Sequence, residues 1–124
     1  MRRSKYNARK VRLDGYTFDS EAEARRYGEL KLLAQAGEIF ALEVHPRFVL
    51  LDGFLHWGER VRKIEYVADF AYNEVDPLAT ANPRLPVMRR VVEDVKGVRT
   101  QVYQLKVKLF KKRYPLLLFR EVRA

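Results

Sequence analysis

The chain of 124 residues has no cysteine, which excludes disulfides and every metal site that depends on thiolate ligands. Its two histidines, His45 and His56, are too few for a histidine-rich zinc site. No apolar run approaches the ~20 residues of a membrane-spanning helix, and no hydrophobic signal region follows the basic first residues. We therefore expect a cytoplasmic protein without a membrane partner, in which any bound metal has oxygen ligands.

Acidic residues are fewer than basic ones. The chain has 16 Asp and Glu residues and 25 Lys and Arg residues, which gives a formal net charge of +9 at pH 7. Such an excess on a small domain indicates a polyanionic partner, and nucleic acid is the leading candidate. An anionic membrane surface is the rival, but the sequence has no basic amphipathic helix with Trp and Phe on its apolar face.

Hydrophobic residues make up 48% of the chain, and its length suffices for one hydrophobic core. We predict a single domain over residues 16–124, preceded by a basic arm at 1–15. The arm lacks acidic residues before Asp14, so its side chains are expected to contact DNA phosphates. These candidate DNA-binding residues are Arg2, Arg3, Lys5, Tyr6, Arg9, Lys10 and Arg12.

The apolar pattern predicts an α/β fold with two helices. Ser20 and Glu23 form a capping-box pattern that begins a helix ending near Ala36, and Thr100 is expected to cap a second helix at 101–114. Strands are predicted around 40–51, 61–72, 88–96 and 116–122, with an irregular proline-rich loop at 73–87. Because the last strand follows a helical crossover, it should pair in parallel with an earlier strand in a mixed sheet flanked by helices.

Turn residues between the first two strands enclose an apolar tip that contains Phe54, Leu55 and Trp57. An exposed apolar tip suits a homodimer interface, and it suits equally a wedge inserted into branched DNA. The pattern does not choose between the two uses.

Charged residues occur inside two of the apolar strands. Side chains alternate along a strand, so Asp94 and Lys96 project together while Glu93 points to the other side. In the preceding strand, 61–72, we expect Asp69 on the less bulky face. Burying such charges costs several kcal/mol unless a metal or an ion pair compensates. The pattern favours a functional site, although an ion pair on a half-solvated edge strand gives the same alternation.

A third carboxylate faces the interior from the first helix. Glu23 lies on the same helical stripe as Tyr27 and Leu30, although capping alone also explains a glutamate at this position. In the second helix, Lys106 lies within a stripe of Val102, Leu105, Leu109 and Phe110. It is expected to bind an anion such as a DNA phosphate, or to extend its stem to the rim of the stripe.

These residues can build a site for phosphodiester hydrolysis. Mg²⁺ prefers oxygen ligands, which Asp69, Asp94 and the backbone carbonyl of Val95 would supply, and Mn²⁺ should substitute. Glu23 would bind a second ion or act through a water molecule. Lys96 would position the attacking water or offset charge in the transition state.

The spacing Glu23, Asp69, Asp94-x-Lys96 over helix, strand and strand resembles the PD-(D/E)xK nuclease superfamily. Further motifs look like those of a small phage-borne group within it, similar to archaeal-type Holliday junction resolvases: Ser4-Lys5-Tyr6, Phe18-Asp19-Ser20-x-x-Glu23-Ala24, Tyr66-Val67-Ala68-Asp69-Phe70, Val92-Glu93-Asp94-Val95-Lys96-Gly97 and Tyr103-x-Leu105-Lys106. The resemblance implies a restriction-endonuclease-like αβββαβ core, catalytic roles for those four residues and Mg²⁺-dependent cleavage of DNA. For the resolvases it also implies a homodimer, and a phage protein would act in the host cytoplasm.

Three departures from the superfamily pattern stand out. Ala68 replaces the name-giving proline, Asp94 stands where a resolvase is expected to have glutamate, and the loop at 76–86 is long. Glu93 is an alternative ligand, but strand alternation favours Asp94.

The leading expectation is a metal-dependent, structure-selective endodeoxyribonuclease, most of all a Holliday junction resolvase. A phage nuclease with another DNA target, restriction-like or replication-associated, fits the same residues. A non-catalytic nucleic-acid-binding module fits the charge, yet a pure binder gains nothing from carboxylates beside phosphate.

Overall fold

The computed structural model describes residues 9–124, which contain two helices. The helices are α1 (Glu21–Gln35) and α2 (Gln101–Arg113). The strands are β1 (Val11–Leu13), β2 (Tyr16–Phe18), β3 (Phe40–Val44), β4 (Arg47–Leu51), β5 (Phe54–His56), β6 (Glu59–Val61), β7 (Ile64–Val67), β8 (Phe70–Val75), β9 (Met88–Lys96) and β10 (Leu118–Arg123). Over this range the structure has no helix that is both long and apolar enough to cross a membrane.

A mixed four-stranded sheet, ordered β10-β9-β8-β3, forms the centre of the fold. β10 runs parallel to β9, whereas β8 is antiparallel to both of its neighbours. The predicted α/β class and the parallel pairing of the last strand are therefore confirmed. Two smaller antiparallel pairs, β4 with β7 and β5 with β6, form the predicted hairpin.

The two helices lie on opposite faces of the sheet because β9 is apolar on both sides. Val91 and Val95 belong to one core cluster with Tyr27 and Leu30 of α1. Val92 belongs to a second cluster that includes Val107 and Phe110 of α2. Both helices begin where the capping signals predicted, since Ser20 and Thr100 each accept a backbone N–H from the first helical turn.

The predicted continuous strand at 61–72 is wrong, because the chain breaks it into three pieces. Tyr66 and Ala68 pack with α2, whereas Phe70 and Tyr72 pack with α1, so the buried face changes at residues 68–69. The cause is a change of hydrogen-bonding partner: the Ala68 N–H donates to Pro46 at 3.0 Å, and the next N–H donates to β9. Strand alternation therefore does not carry through residues 68–69. Beyond the break Asp69 lies beside Asp94 on the side to which Ala71 belongs, opposite Phe70 and Tyr72.

The predicted apolar stripe of α2 is also wrong in part. Val102, Leu105 and Leu109 are 63%, 57% and 40% exposed, while Val107 and Phe110 are buried. The buried face is rotated by one residue, about 100°. The aromatic ring of Phe110 causes this, because it packs against the rings of Phe48, Tyr66, Tyr114 and Phe119.

Residues 11–15, assigned above to the basic arm, form β1 and the turn of a hairpin with β2, and Val11 packs against the α1 core. Four candidate DNA-binding residues, Arg2, Arg3, Lys5 and Tyr6, lie outside the described residues. The irregular stretch begins later than predicted, because β8 continues to Val75 and pairs there with Met88.

A buried ion-pair network joins α1 to the sheet through Glu93, which has no exposed surface. Arg26 donates two hydrogen bonds to its carboxylate, at 2.7 and 2.8 Å, and the Tyr72 hydroxyl donates a third at 2.7 Å. Arg120 in turn donates to the Tyr72 hydroxyl at 2.9 Å. A buried carboxylate is tolerated when its lone pairs are satisfied in this way.

We expect Glu93→Ala to lower the free energy of unfolding by about 3 kcal/mol, because the substitution leaves the half-buried Arg26 guanidinium without its buried anion and with only the exposed Glu29 as a partner. Urea denaturation followed by circular dichroism measures this difference. Asp52→Ala is the matched control, since its pair with Arg113 is exposed and should contribute less than about 1 kcal/mol. Equal losses in the two variants would contradict the structural role of Glu93.

Candidate metal centre

The side chains of Asp69 and Asp94 lie close together at the end of the β8–β9 pairing that is next to the first residue of β8. Phe70 pairs with Glu93, so the residue before Phe70 lies at the level of Asp94. The Asp69 side chain turns toward β9 and its Oδ2 accepts the Val95 N–H at 2.7 Å. Both carboxylates are buried, with 8% and 1% of the two residues exposed.

The pair cannot easily carry two negative charges in a low-dielectric interior. Burial and the adjacent Asp94 carboxylate together raise the pKa of Asp69 to about 9, although the Val95 N–H lowers it. Without a cation, the pair therefore favours binding a proton between its two carboxylates. A divalent cation between the two side chains would displace that proton and remove the repulsion.

The two oxygens of Asp94 have different surroundings. Oδ2 accepts a hydrogen bond from the buried Tyr66 hydroxyl, whereas Oδ1 is buried without any hydrogen bond. Lys96 Nζ lies 3.3 Å from Oδ1, which is an ion-pair distance without hydrogen-bond alignment. Burial raises the pKa of Tyr66, and the charge of Asp94 raises it further, so the hydroxyl remains a donor. Tyr66 thus fixes the carboxylate and leaves Oδ1 for another ligand.

Lys96 is held between the sheet and α2. Its Nζ lies 4.7 Å from the centre of the Tyr103 ring, and the Tyr103 hydroxyl donates to Glu121 at 2.8 Å. The lysine side chain keeps 28% of its surface exposed. It opens onto a cavity of about 270 Å³ that Arg99, Glu121 and Arg123 also line, and Arg99 pairs with Glu121 at 2.6 Å. The cavity keeps a net positive charge, which suits an anionic substrate.

Glu23 is buried at the start of α1, where it completes the capping box. Its N–H donates to Ser20 Oγ at 3.1 Å, and its Oε2 accepts the Asp19 N–H at 2.8 Å. Its charge is the last of the causes that raise the pKa of Asp69. Within residues 9–124, however, no three His, Asp or Glu side chains form a group that could hold a metal ion. The structure thus brings together Asp69, Asp94 and Lys96, with Glu23 as a neighbour engaged in the cap.

The remaining predicted site residues lie around this centre. The Val95 N–H is bound by Asp69, and the ligand role of the Val95 carbonyl stays a prediction. Lys106 is half-buried and forms no ion pair with the acidic residues of the described chain. Arg9 pairs at 3.6 Å with the exposed Glu21, and Lys10 and Arg12 are exposed.

The donor set fits Mg²⁺ or Mn²⁺. It offers carboxylate oxygens, which these hard cations prefer, and it contains a buried oxygen, Asp94 Oδ1, that has no hydrogen-bond partner. Glu93, the alternative ligand, points to the α1 face and is fully occupied by Arg26 and Tyr72. Sequence reasoning missed Tyr66 and Tyr103. Each tyrosine had a signal, since Tyr66 begins the motif Tyr66-Val67-Ala68-Asp69-Phe70 and Tyr103 begins the motif Tyr103-x-Leu105-Lys106.

A family model described as "Protein of unknown function (DUF1064)" matches residues 3–124. The chain belongs to this family. The matched range includes all four candidate catalytic residues and the tyrosines that contact them. No curated protein and no solved structure matches the chain. The functional argument therefore depends on the geometry of the centre itself.

We expect Asp69→Asn to stabilise the metal-free protein, because the amide oxygen can still accept the Val95 N–H without adding a buried charge. The folded pKa of Asp69 is raised above its unfolded value, so wild-type stability is fully present below the unfolded pKa of 3.8 and declines as pH rises toward about 9. The advantage of Asp69→Asn should therefore grow over this range.

Thermal unfolding in EDTA at several pH values measures this advantage. Asp52→Asn is the control, since Asp52 is an exposed aspartate far along the chain from the pair. A difference between Asp69→Asn and wild type that stays constant from pH 5 to pH 9 would contradict the account of the pair.

Proposed function

We propose that this protein is a metal-dependent endodeoxyribonuclease that hydrolyses phosphodiester bonds in branched DNA, with the Holliday junction as its leading substrate. The observation that carries the proposal is the buried Asp69–Asp94 pair with Lys96 Nζ 3.3 Å from Asp94 Oδ1. Two acidic oxygen donors and an ammonium group are the components that a one-metal phosphodiesterase site needs.

The order of elements supports a restriction-endonuclease-like core. α1, β3, β8, β9, α2 and β10 follow the αβββαβ order of the PD-(D/E)xK superfamily, which the chain resembles. In this assignment the acidic residues lie at the start of the second core strand and near the end of the third. Lys96 follows Asp94 on the same side of β9, as the motif requires.

In the proposed mechanism, Asp69 and Asp94 would hold Mg²⁺, which would supply charge neutralisation at a phosphoryl oxygen and a lowered pKa of bound water. As ligands the two carboxylates would both be ionised, their proton having passed to solvent. The Tyr66 hydroxyl keeps the Asp94 carboxylate in one orientation, so that Oδ1 faces the site. Lys96 orients the attacking water or offsets the charge that develops on the phosphate.

The distribution of positive charge supports a DNA substrate. The chain has a net charge of +9, and the cavity beside Lys96 is lined by Arg99 and Arg123. A phosphate next to the one being cut would bind there with charge-assisted hydrogen bonds. Further contacts are proposed for the N-terminal basic residues and for Lys106.

Symmetric incision of a four-way junction requires two active sites, so we propose that a homodimer is the active form. The exposed Val102, Leu105 and Leu109 of α2 follow the i, i+3, i+7 spacing of a helical packing face and are candidates for the contact. A monomer would instead favour a phage nuclease with another DNA target, whose centre would use the same residues.

Purified protein should nick four-way junctions in Mg²⁺ or Mn²⁺ and not in EDTA. Asp94→Asn should lower the rate by roughly two to three orders of magnitude, because it removes a metal ligand of the transition state. Its affinity for the junction in EDTA should stay within about twofold of wild type, since phosphate contacts supply most of the affinity. Labelled-DNA cleavage and anisotropy give the two values.

Asp52→Asn is the matched control and should cleave at the wild-type rate. Flap, linear duplex and single-stranded substrates in the same assay separate a junction resolvase from a nuclease with another target. Cleavage by Asp94→Asn at the wild-type rate would refute the proposed centre, and metal-independent binding without any cleavage would favour the non-catalytic module.

A further inference from the structure

The hairpin formed by β5 and β6 is a two-stranded sheet of its own with an unusually apolar surface. Phe54 pairs with Val61, and Leu55 pairs with Arg60. Exposure increases toward the turn, from 46% at Phe54 and 71% at Leu55 to 96% at Trp57. An almost fully exposed tryptophan at a hairpin tip contributes nothing to the core.

The turn itself does not explain the tryptophan. Trp57 and Gly58 have φ of 47° and 83°, the two positive values of a two-residue hairpin turn, in which Asn, Asp and Gly are favoured at the first position. The β1–β2 hairpin has the same geometry and places Asp14 and Gly15 there, at 53° and 82°. A bulky side chain in the left-handed region is strained. Trp57 therefore occupies a position that a turn-forming residue would fill better.

The hairpin is also basic. Arg60, Arg62 and Lys63 follow the turn, against the single acidic Glu59. Arg60, Arg62 and Lys63 line a surface groove of about 610 Å³ together with Phe54, Leu55 and Glu65, and Glu65 pairs with Lys63 at 3.4 Å, which leaves the two arginines as the cations available to a ligand. Aromatic and aliphatic surface interleaved with arginines is the composition of a nucleic-acid contact. Two copies of this net-positive surface would repel each other, which disfavours a homodimer contact here.

The hairpin continues directly into the strand that reaches the metal centre. β6 leads through Arg62 and Lys63 into β7, where Tyr66 contacts Asp94. Tyr66 is nine positions after Trp57, so at ~3.3 Å per residue the tip lies at most about 30 Å from Tyr66. This maximum distance is close to the length of one helical turn of B-DNA.

We propose that the β5–β6 hairpin is a second DNA contact, in which the Trp57 indole stacks on a base that is exposed at a branch point or in a single strand. Arg60 and Arg62 bind the flanking phosphates. Bases inside an intact duplex are already stacked on one another, so the indole selects DNA with an unpaired or loosely stacked base. The inference rests on the proposed function for the nature of the substrate, and it assigns to this hairpin the recognition of branched structure.

Trp57 is the only tryptophan in the chain, so its fluorescence reports on the hairpin alone. In EDTA, where no cleavage occurs, a four-way junction and a single-stranded oligonucleotide should quench the emission of the full-length protein as they bind. A perfect linear duplex should bind with little quenching. Quenching by stacking needs no metal, so this result is independent of catalysis.

Two substitutions separate stacking from the integrity of the turn. Trp57→Asn supplies the residue that the turn prefers, so the fold should be kept or stabilised. It should nevertheless weaken junction binding by roughly 5- to 150-fold, the usual value of one stacked base. Trp57→Phe should recover most of the affinity. Duplex affinity, measured by anisotropy of labelled DNA, should be the same in both variants and wild type.

Leu116→Asn, at a residue that is 92% exposed near the start of β10, is the matched surface control and should leave all affinities unchanged. Equal junction affinity in Trp57→Asn and wild type would overturn the inference. So would emission that changes with protein concentration in the absence of DNA, because the hairpin would then bind a second copy. Junction-specific quenching without any metal-dependent cleavage would support the hairpin contact while overturning the nuclease.

Discussion

The structure depends on the burial of two carboxylates, Asp69 and Asp94, side by side between a sheet and a helix. Such a pair is unfavourable unless a proton or a cation lies between its members, and the raised pKa of Asp69 expresses that cost. The fold holds the pair in place nevertheless. Asp69 is bound by the Val95 N–H, and Asp94 is bound by the Tyr66 hydroxyl. Local stability is thus lower than a neutral core would give, as is typical of sites that bind ions.

Two neighbouring carboxylates of β9 lie on opposite faces of the sheet, because side chains alternate along a strand, and they have different surroundings. Glu93 points to the α1 face, where Arg26 and Tyr72 satisfy it completely. Asp94 points to the α2 face, where one of its oxygens has no hydrogen bond and lies beside Lys96. The first carboxylate joins a helix to the sheet, and the second keeps one oxygen without a hydrogen bond. The central strand therefore carries a fully paired carboxylate on one face and a partly unpaired one on the other.

The sequence predicted those features that depend on local physics. Capping by Ser20 and Thr100 placed both helices, and the alternation of β9 placed Asp94 and Lys96 on one side. The break in the strand before Asp69 was not predictable, because it arises from hydrogen bonds to Pro46 and to β9, which are distant in the sequence. The contact of Tyr66 with Asp94 was missed for the same reason.

The buried face of α2 was misjudged on different grounds. Two stripes of comparable hydrophobicity lie about 100° apart on this helix, and only the aromatic cluster around Phe110 decides between them. That cluster forms from β4, β7 and β10, so the choice is made by tertiary packing. Val102, Leu105 and Leu109, which were predicted to lie in the core, are therefore exposed. They are now candidates for a contact with a second subunit.

The most direct test of the central claim is diffraction from crystals of this protein soaked in Mn²⁺, with data collected at a wavelength where manganese scatters anomalously. The account predicts an anomalous peak between the carboxylates of Asp69 and Asp94, with Asp94 Oδ1 at about 2.0–2.3 Å from the ion, and no such peak in crystals of Asp94→Asn. Well-ordered crystals in which Mn²⁺ binds elsewhere, and the two carboxylates stay as they are without metal, would contradict it.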